Sequence, residues 1–222
     1  MRKRLVLILA ILLVFAGALP AQTNVALGLV VGGNYNVHTG SDLQKTGTGV
    51  GFVGGGQIDV SFSKSIGLLT TIYAYDNRIG KYTYPVNSGG VDYSVDVSVT
   101  IAYAGVEPLL KFTMPDDRFF FVAGPSIGFK VAGQSEVTAT VTTPGYSYSN
   151  GFASQTTTND LQDINTRFEL NAGAGYAFKI DPQSRLTSRL MIAYGFTNVE
   201  KNVDWRINSV RLVAALEFDL HH

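Results

Sequence analysis

His38 is the only histidine before the terminal His221–His222 pair, and Asp42 lies four residues beyond it. A serine nucleophile would need activation by that imidazole, and no acid near it has a recognisable spacing. A metal would need further ligands that the surrounding residues do not supply. His38 therefore reads as a solvent-exposed loop residue. Gly49-Val50-Gly51-Phe52-Val53-Gly54 matches G-x-G-x-x-G, but a phosphate cradle requires a following helix, and alternating residues follow instead. Ser61-Phe62-Ser63-Lys64 and Lys45-Thr46-Gly47 echo penicillin-binding motifs. They come in the wrong order, and the serine falls at a strand end instead of opening a helix. No catalytic residue, cofactor or metal is expected.

The chain has 222 residues, no cysteine, 24 glycines, 13 phenylalanines and 11 tyrosines. Without cysteine there is no disulfide framework, thiolate metal site or cysteine nucleophile. Residues 1–21 have a secretory leader's layout, with Arg2, Lys3 and Arg4 followed by an apolar run from Leu5 to Leu19 and small residues after it. The run is too short for a spanning helix. Cleavage is expected after Ala21, leaving residues 22–222 as one domain. Without its three leading basic residues the chain carries 14 bases and 17 acids, a formal charge of −3. No basic patch suggests a nucleic-acid partner.

Period-two alternation runs through the mature chain, the mark of strands. Eight strands can be read, among them Val25–Tyr35, Val50–Phe62, Ile66–Asp76, which does not announce its faces, and a fourth from Val91 to about Phe112. Short turns at 63–65, 114–118 and 181–184 alternate with long polar segments at about 38–48, 77–90, 133–163 and 199–205. Sorting short turns to one end and long loops to the other is the anatomy of a membrane barrel. The expected fold is an all-β, eight-stranded antiparallel up-and-down transmembrane β-barrel. A soluble, lipocalin-like barrel binding an apolar ligand has the same period with its faces reversed.

Side-chain size favours the membrane orientation. One set of faces carries Gly, Ala and Ser with charges of both signs, which suits a narrow interior; the other carries Phe, Tyr, Leu and Ile. The expected interior polar network is Gln57, Asp59, Glu107, Lys111, Glu169, Arg189, Arg211 and Glu217, with Arg189 and Glu217 placed to pair. The expected lipid-facing aromatic girdle is Tyr35, Phe62, Phe112, Phe119, Phe178, Phe196 and Phe218. In "VDYSVDVSVTIAY", Val95, Val97, Val99, Ile101 and Tyr103 are read as facing outward, and Asp92, Ser94 and Asp96 as facing a wet interior. A bulge near Ala104–Gly105 then carries Val106, Pro108, Leu110 and Phe112 onto the outer face. Pro108 and Pro125 each call for a bulge, because proline breaks a ladder bond.

The segments "VALGLVVGGNYN", "GFVGGGQIDVSFSKSIGLLTTIYAY", "EPLLKF", "FFFVAGPSIGF", "ELNAGAGYAFKI", "YGFTNV" and "INSVRLVAALEF" give the chain a resemblance to the PorT-like outer-membrane β-barrel family, whose architecture is that of small OmpA-type barrels. The final strand, ending in Phe218, Leu220 and His221–His222, departs from that family's glycine- and aromatic-rich ending. The expectation is a non-enzymatic, monomeric barrel in the outer membrane of a diderm bacterium, contacting outer-membrane lipid. Its role would be structural, adhesive or in envelope assembly. Segment 133–163 would meet envelope proteins or extracellular surfaces, since loops on a rigid scaffold carry recognition. In its stretch 137–160 half the residues are Ser, Thr or Asn and Asp160 is the single charge. A lipid-modifying enzyme is the second alternative.

Overall fold

The computed structural model describes residues 24–220; the expected leader and the His221–His222 pair lie outside them. The strands are β1 (Asn24–Thr39), β2 (Gly47–Ser61), β3 (Ile66–Ser88), β4 (Val91–Thr113), β5 (Phe119–Val141), β6 (Ser154–Asp160), β7 (Arg167–Lys179), β8 (Ser184–Gly195) and β9 (Arg206–Asp219). Eight of them close a ring, β1-β2-β3-β4-β5-β7-β8-β9, with β9 pairing back onto β1. β6 stands outside the ring and pairs only with the far end of β5. Connections 62–65, 114–118 and 180–183 gather at one end, the turn end, and the longer connections at the other, the loop end.

Two expected loops are strands. β3, β4 and β5 each run 23 residues, about twice the 9–11 residues a tilted strand needs to cross a bilayer. Residues 77–88 extend β3, and the β3–β4 connection is only Gly89–Gly90, at φ 61° and 80°. Two positive φ values in succession give the tight hairpin turn that glycine favours. Residues 133–141 likewise extend β5, and β6 returns along it. The result is a four-stranded sheet, β3-β4-β5-β6, standing beyond the barrel at the loop end.

The reading of "VDYSVDVSVTIAY" is reversed. Val95, Val97 and Val99 are buried at 8% exposure, Ile101 and Tyr103 at 0–1%, and all face inward. Asp92 and Asp96 are exposed on the outer side with Ser94. Odd-numbered residues of β4 stay inward down to Glu107, Leu109 and Lys111, so the expected shift at Ala104–Gly105 does not occur. The parity changes instead in the neighbours. β3 carries an extra residue between Tyr73 and Asp76, and β5 carries one at Val131, between the partners of Ala102 and Tyr103. An extra residue on one strand moves all later side chains to the other face.

Pro108 and Pro125 need no bulge. The β4–β5 ladder lapses between Val106↔Ile127 and Leu110↔Ala123 and resumes in the same register. That spacing sets the two prolines opposite each other, so both missing donors fall in one gap.

Candidate functional site

The barrel interior is filled with charge. Lys111 bridges Asp59, which also accepts from Arg185 at 2.9 Å, and Arg185 reaches Glu217 at 2.6 Å. One level up, Arg189 donates to Gln57 Oε1 at 2.7 Å and to Thr71 at 2.8 Å, and Gln57 and Thr187 both donate to Glu217. Arg189 and Glu217 therefore share Gln57 without pairing directly, contrary to the expectation. The cross-strand partner of Glu217 is Arg185, at the very start of β8.

Higher again, Arg211 bridges Glu107, which also accepts from the Tyr73 hydroxyl at 2.9 Å. Above that, Asp76 holds Arg78 at 2.7 Å and Arg167 at 2.6 Å, and Arg167 meets Glu169 at 3.2 Å. Asn34 and Asn36 complete this level from β1. All eight residues expected in the interior polar network are buried inside the barrel. Asp76, Arg78, Arg167 and Arg185 extend the set beyond the sequence reading: the first two follow the β3 bulge, Arg167 opens β7, and Arg185 sits against a turn. Buried charges are costly unless paired or hydrogen-bonded: every acid of this stack meets a base, while Arg189 is held by the neutral Gln57 and Thr71. The stack occupies the space a through-channel would need.

Outside, Leu29, Val31, Leu110, Leu190, Ile192 and Leu212 are exposed at 56–71%. A soluble ligand-binding barrel would turn those faces inward. Of the expected girdle, Phe112, Phe119, Phe178 and Phe218 lie exposed near the turn end, and Tyr35 and Phe196 toward the loop end. Phe119, Tyr176 and Phe178 form a continuous aromatic run, with centroids 4.7 and 4.5 Å apart. Phe62 departs from the expectation: it lies past the end of β2, half-buried, lining the mouth at the turn end.

At the loop end the inward face turns apolar. Val95, Val97, Val99 and Ile101 pack with Val199, Trp205 and Ile207. His38 belongs to this layer, not to a solvated loop: it ends β1 at 2% exposure, and its Nδ1 accepts a hydrogen bond from Trp205 Nε1 at 3.1 Å. Asp42 is turned elsewhere, accepting from the Asp204 backbone at 2.7 Å. Asp204 in turn accepts from the Ser41 backbone at 3.1 Å and its hydroxyl at 3.0 Å. Those bonds hold the Asp204 carboxyl below its ordinary pKa, the Ser41 backbone bond contributing most. They clasp loop 40–46 to loop 196–205. Gly40 passes so close that a Cβ there would sit 1.7 Å from the Asp204 carbonyl oxygen.

Residues 49–54 lie within β2, with no helix to follow, and Ser61 and Lys64 flank the end of β2 and its turn. Among the described residues no group of three His, Cys, Asp or Glu side chains is placed to hold a metal ion.

The projecting sheet presents a polar outer face. Thr83 donates to Asp96 at 2.5 Å, Thr138 and Thr156 hydroxyls meet at 2.9 Å, and Thr140 and Ser154 at 3.0 Å. All seven residues of β6 are exposed, and β6 is the terminal strand of the sheet.

Comparison with solved structures finds small outer-membrane proteins. Ail, the attachment invasion locus protein of Yersinia pestis, is 11% identical over 87% of this chain and 98% of its own, with a TM-score of 0.41. Neisserial surface protein A is 13% identical over 87% and 97%, with a TM-score of 0.37. OprG from Pseudomonas aeruginosa is 9% identical over 90% and 96%, with a TM-score of 0.35. No curated protein sequence matches the chain. The family described as outer membrane protein beta-barrel domain matches residues 20–201. With that match spanning most of its length, and a closed barrel whose apolar faces point outward, the chain belongs to the outer-membrane protein beta-barrel domain family.

Proposed function

We propose that this outer-membrane barrel is a non-enzymatic surface protein whose projecting sheet is its working part, serving attachment to polypeptides outside the cell. The observation that carries this reading is β6, an exposed seven-residue strand at the sheet's end. An edge strand offers unpaired N–H and C=O groups, and proteins that avoid edge pairing blunt them with lysine, proline or a bulge. Ser154–Asp160 has none of these, and its register with β5 is unbroken. An extended segment of another protein could add there, bound by main-chain hydrogen bonds.

The rest of the reading follows from the barrel. The stacked interior charges are structural, the outward aromatics meet outer-membrane lipid, and the protein is a monomer with both termini in the periplasm. Export uses a leader cleaved after Ala21, so the mature protein should begin at Gln22. The quoted sequence segments favour kinship with the PorT-like barrels. The experiment is attachment of cells displaying the chain to surfaces coated with casein, a disordered polypeptide. Thr157→Pro and Thr158→Pro sample both hydrogen-bonding directions of β6. Each should leave the gel shift on heating intact, and the one removing an outward N–H should lower attachment severalfold. Attachment equal to the parent in both would sink the proposal.

A further inference from the structure

A cavity of about 280 Å³ opens at the loop-end mouth of the barrel. It lies between the inward face of the projecting sheet and loop 196–205. Its lining includes Tyr82 and Tyr84 of β3, Val97 and Val99 of β4, Val137 of β5, and Trp205. The two tyrosine rings lie 6.0 Å apart at 24°. Below, the level of Asp76, Arg78 and Arg167 fills the barrel, so the cavity is a vestibule and not a passage.

Glu200 is the only acid in this lining, which contains no lysine or arginine. Its side chain makes no hydrogen bond or ion pair among the described residues. His38 also borders the cavity, and its Nδ1 is engaged as an acceptor by Trp205, the state of a neutral imidazole. Aromatic faces attract cations electrostatically, an unpaired carboxylate favours a positive partner, and apolar walls without a base disfavour an anion. Val97 lies nine residues beyond Val106 on β4, ~30 Å along the strand. The outer face at that level carries Asp96, exposed, and Ser98, which suits water around it and favours a solute of the medium over a lipid of the bilayer.

We propose that this vestibule binds a small organic cation, its ammonium head beside Glu200 and its apolar body against Tyr82, Tyr84 and Trp205. The site is independent of the β6 edge, and its occupant differs in kind from an extended polypeptide.

Trp205 is the chain's single tryptophan, so its emission reports on this site alone. The full chain, refolded into phosphatidylcholine vesicles, is titrated with benzyltrimethylammonium, benzyl alcohol and phenylacetate. A saturable change is expected with the cation, at least tenfold weaker binding with the anion, and an intermediate affinity for the alcohol. Glu200→Gln should weaken the cation about tenfold and leave the alcohol unchanged, while Val97→Phe, which fills the cavity, should remove both responses. A shift in gel mobility on heating shows that each variant has kept its barrel. If Val97→Phe fails to fold, Glu200→Gln with the three probes decides the matter. A linear response equal for all three probes overturns the site. Saturable binding indifferent to probe charge and to Glu200→Gln overturns the cation and leaves an apolar gap.

Discussion

Within one strand, β4, the same inward parity serves two opposite environments. In the barrel the inward residues include Glu107 and Lys111, while Val106, Leu110 and Phe112 face out. In the projecting sheet Val95, Val97, Val99 and Ile101 face in, and Asp92, Ser94 and Asp96 face out. The backbone does not turn over between them; the solvent around it changes. On the proposed reading lipid surrounds the lower half, so apolar groups gain by facing out. Water surrounds the upper half, which must bury its valines against Trp205 and the loops as any soluble sheet would. Side-chain polarity thus reports the medium, and only alternation reports the fold.

The contrast can be broken from the inside of the barrel first. Arg211→Ala should cost about 3–5 kcal/mol, because it strands the buried Glu107 carboxylate; vesicle unfolding by urea, followed by gel mobility, would measure it. A loss within error of zero would mean that water reaches the interior. Next, Leu190→Arg on the outer face of β8 should impair folding into bilayers by roughly 2–4 kcal/mol. An unchanged folding free energy would argue that this face does not meet lipid.

Smaller effects are expected above the membrane. Val99→Ala removes two methyl groups from the loop-end cluster and should cost about 1–2 kcal/mol. The loss should appear as faster proteolysis of loop 196–205 with the barrel's heating shift unaltered. Ser98→Arg, outward on the same strand as Val99, should stay within about 0.5 kcal/mol of the parent; a loss like that of Leu190→Arg would place lipid against the projecting sheet. The mildest change is with pH. Because its bonds to Ser41 lower the Asp204 pKa in the folded state, the clasp contributes above the ordinary carboxylate value of about 3.9. It is lost as pH falls through the lower folded value. The Ser41 amide chemical shift should therefore hold steady from neutral pH to about 4 and move only below that; Asp204→Asn should abolish the movement.

The barrel was legible because alternation repeats on the ring strands, β3 apart, and the short turns recur at one end. Gln57, Asp59, Glu107, Lys111, Glu169, Arg189, Arg211 and Glu217 could be assigned to one face for the same reason. What escaped was where the membrane stops. "VDYSVDVSVTIAY" alternates as cleanly as any lipid-facing run, and nothing local says that its valines meet Trp205, which is more than a hundred residues away in sequence. Residues 77–88 and 133–141 read as loops because Lys, Asn, Thr and Ser suit a solvated strand as well as a loop. The bulges at Tyr73–Asp76 and Val131 lack a local signal, so Asp76 and Arg78 could not be assigned inward. His38 looked isolated because its partner, Trp205, lies 167 residues on.

The facing prolines of β4 and β5 bear on how the barrel finds its register. In the native alignment Pro108 and Pro125 share one gap, so the ladder is interrupted once. Slide β4 by two residues against β5 and each proline faces a residue whose carbonyl awaits a donor, so a single defect becomes two. Uneven pairing of this kind works like the wards of a lock. Most of the seam could close in several positions, but only one lets both obstructions pass together.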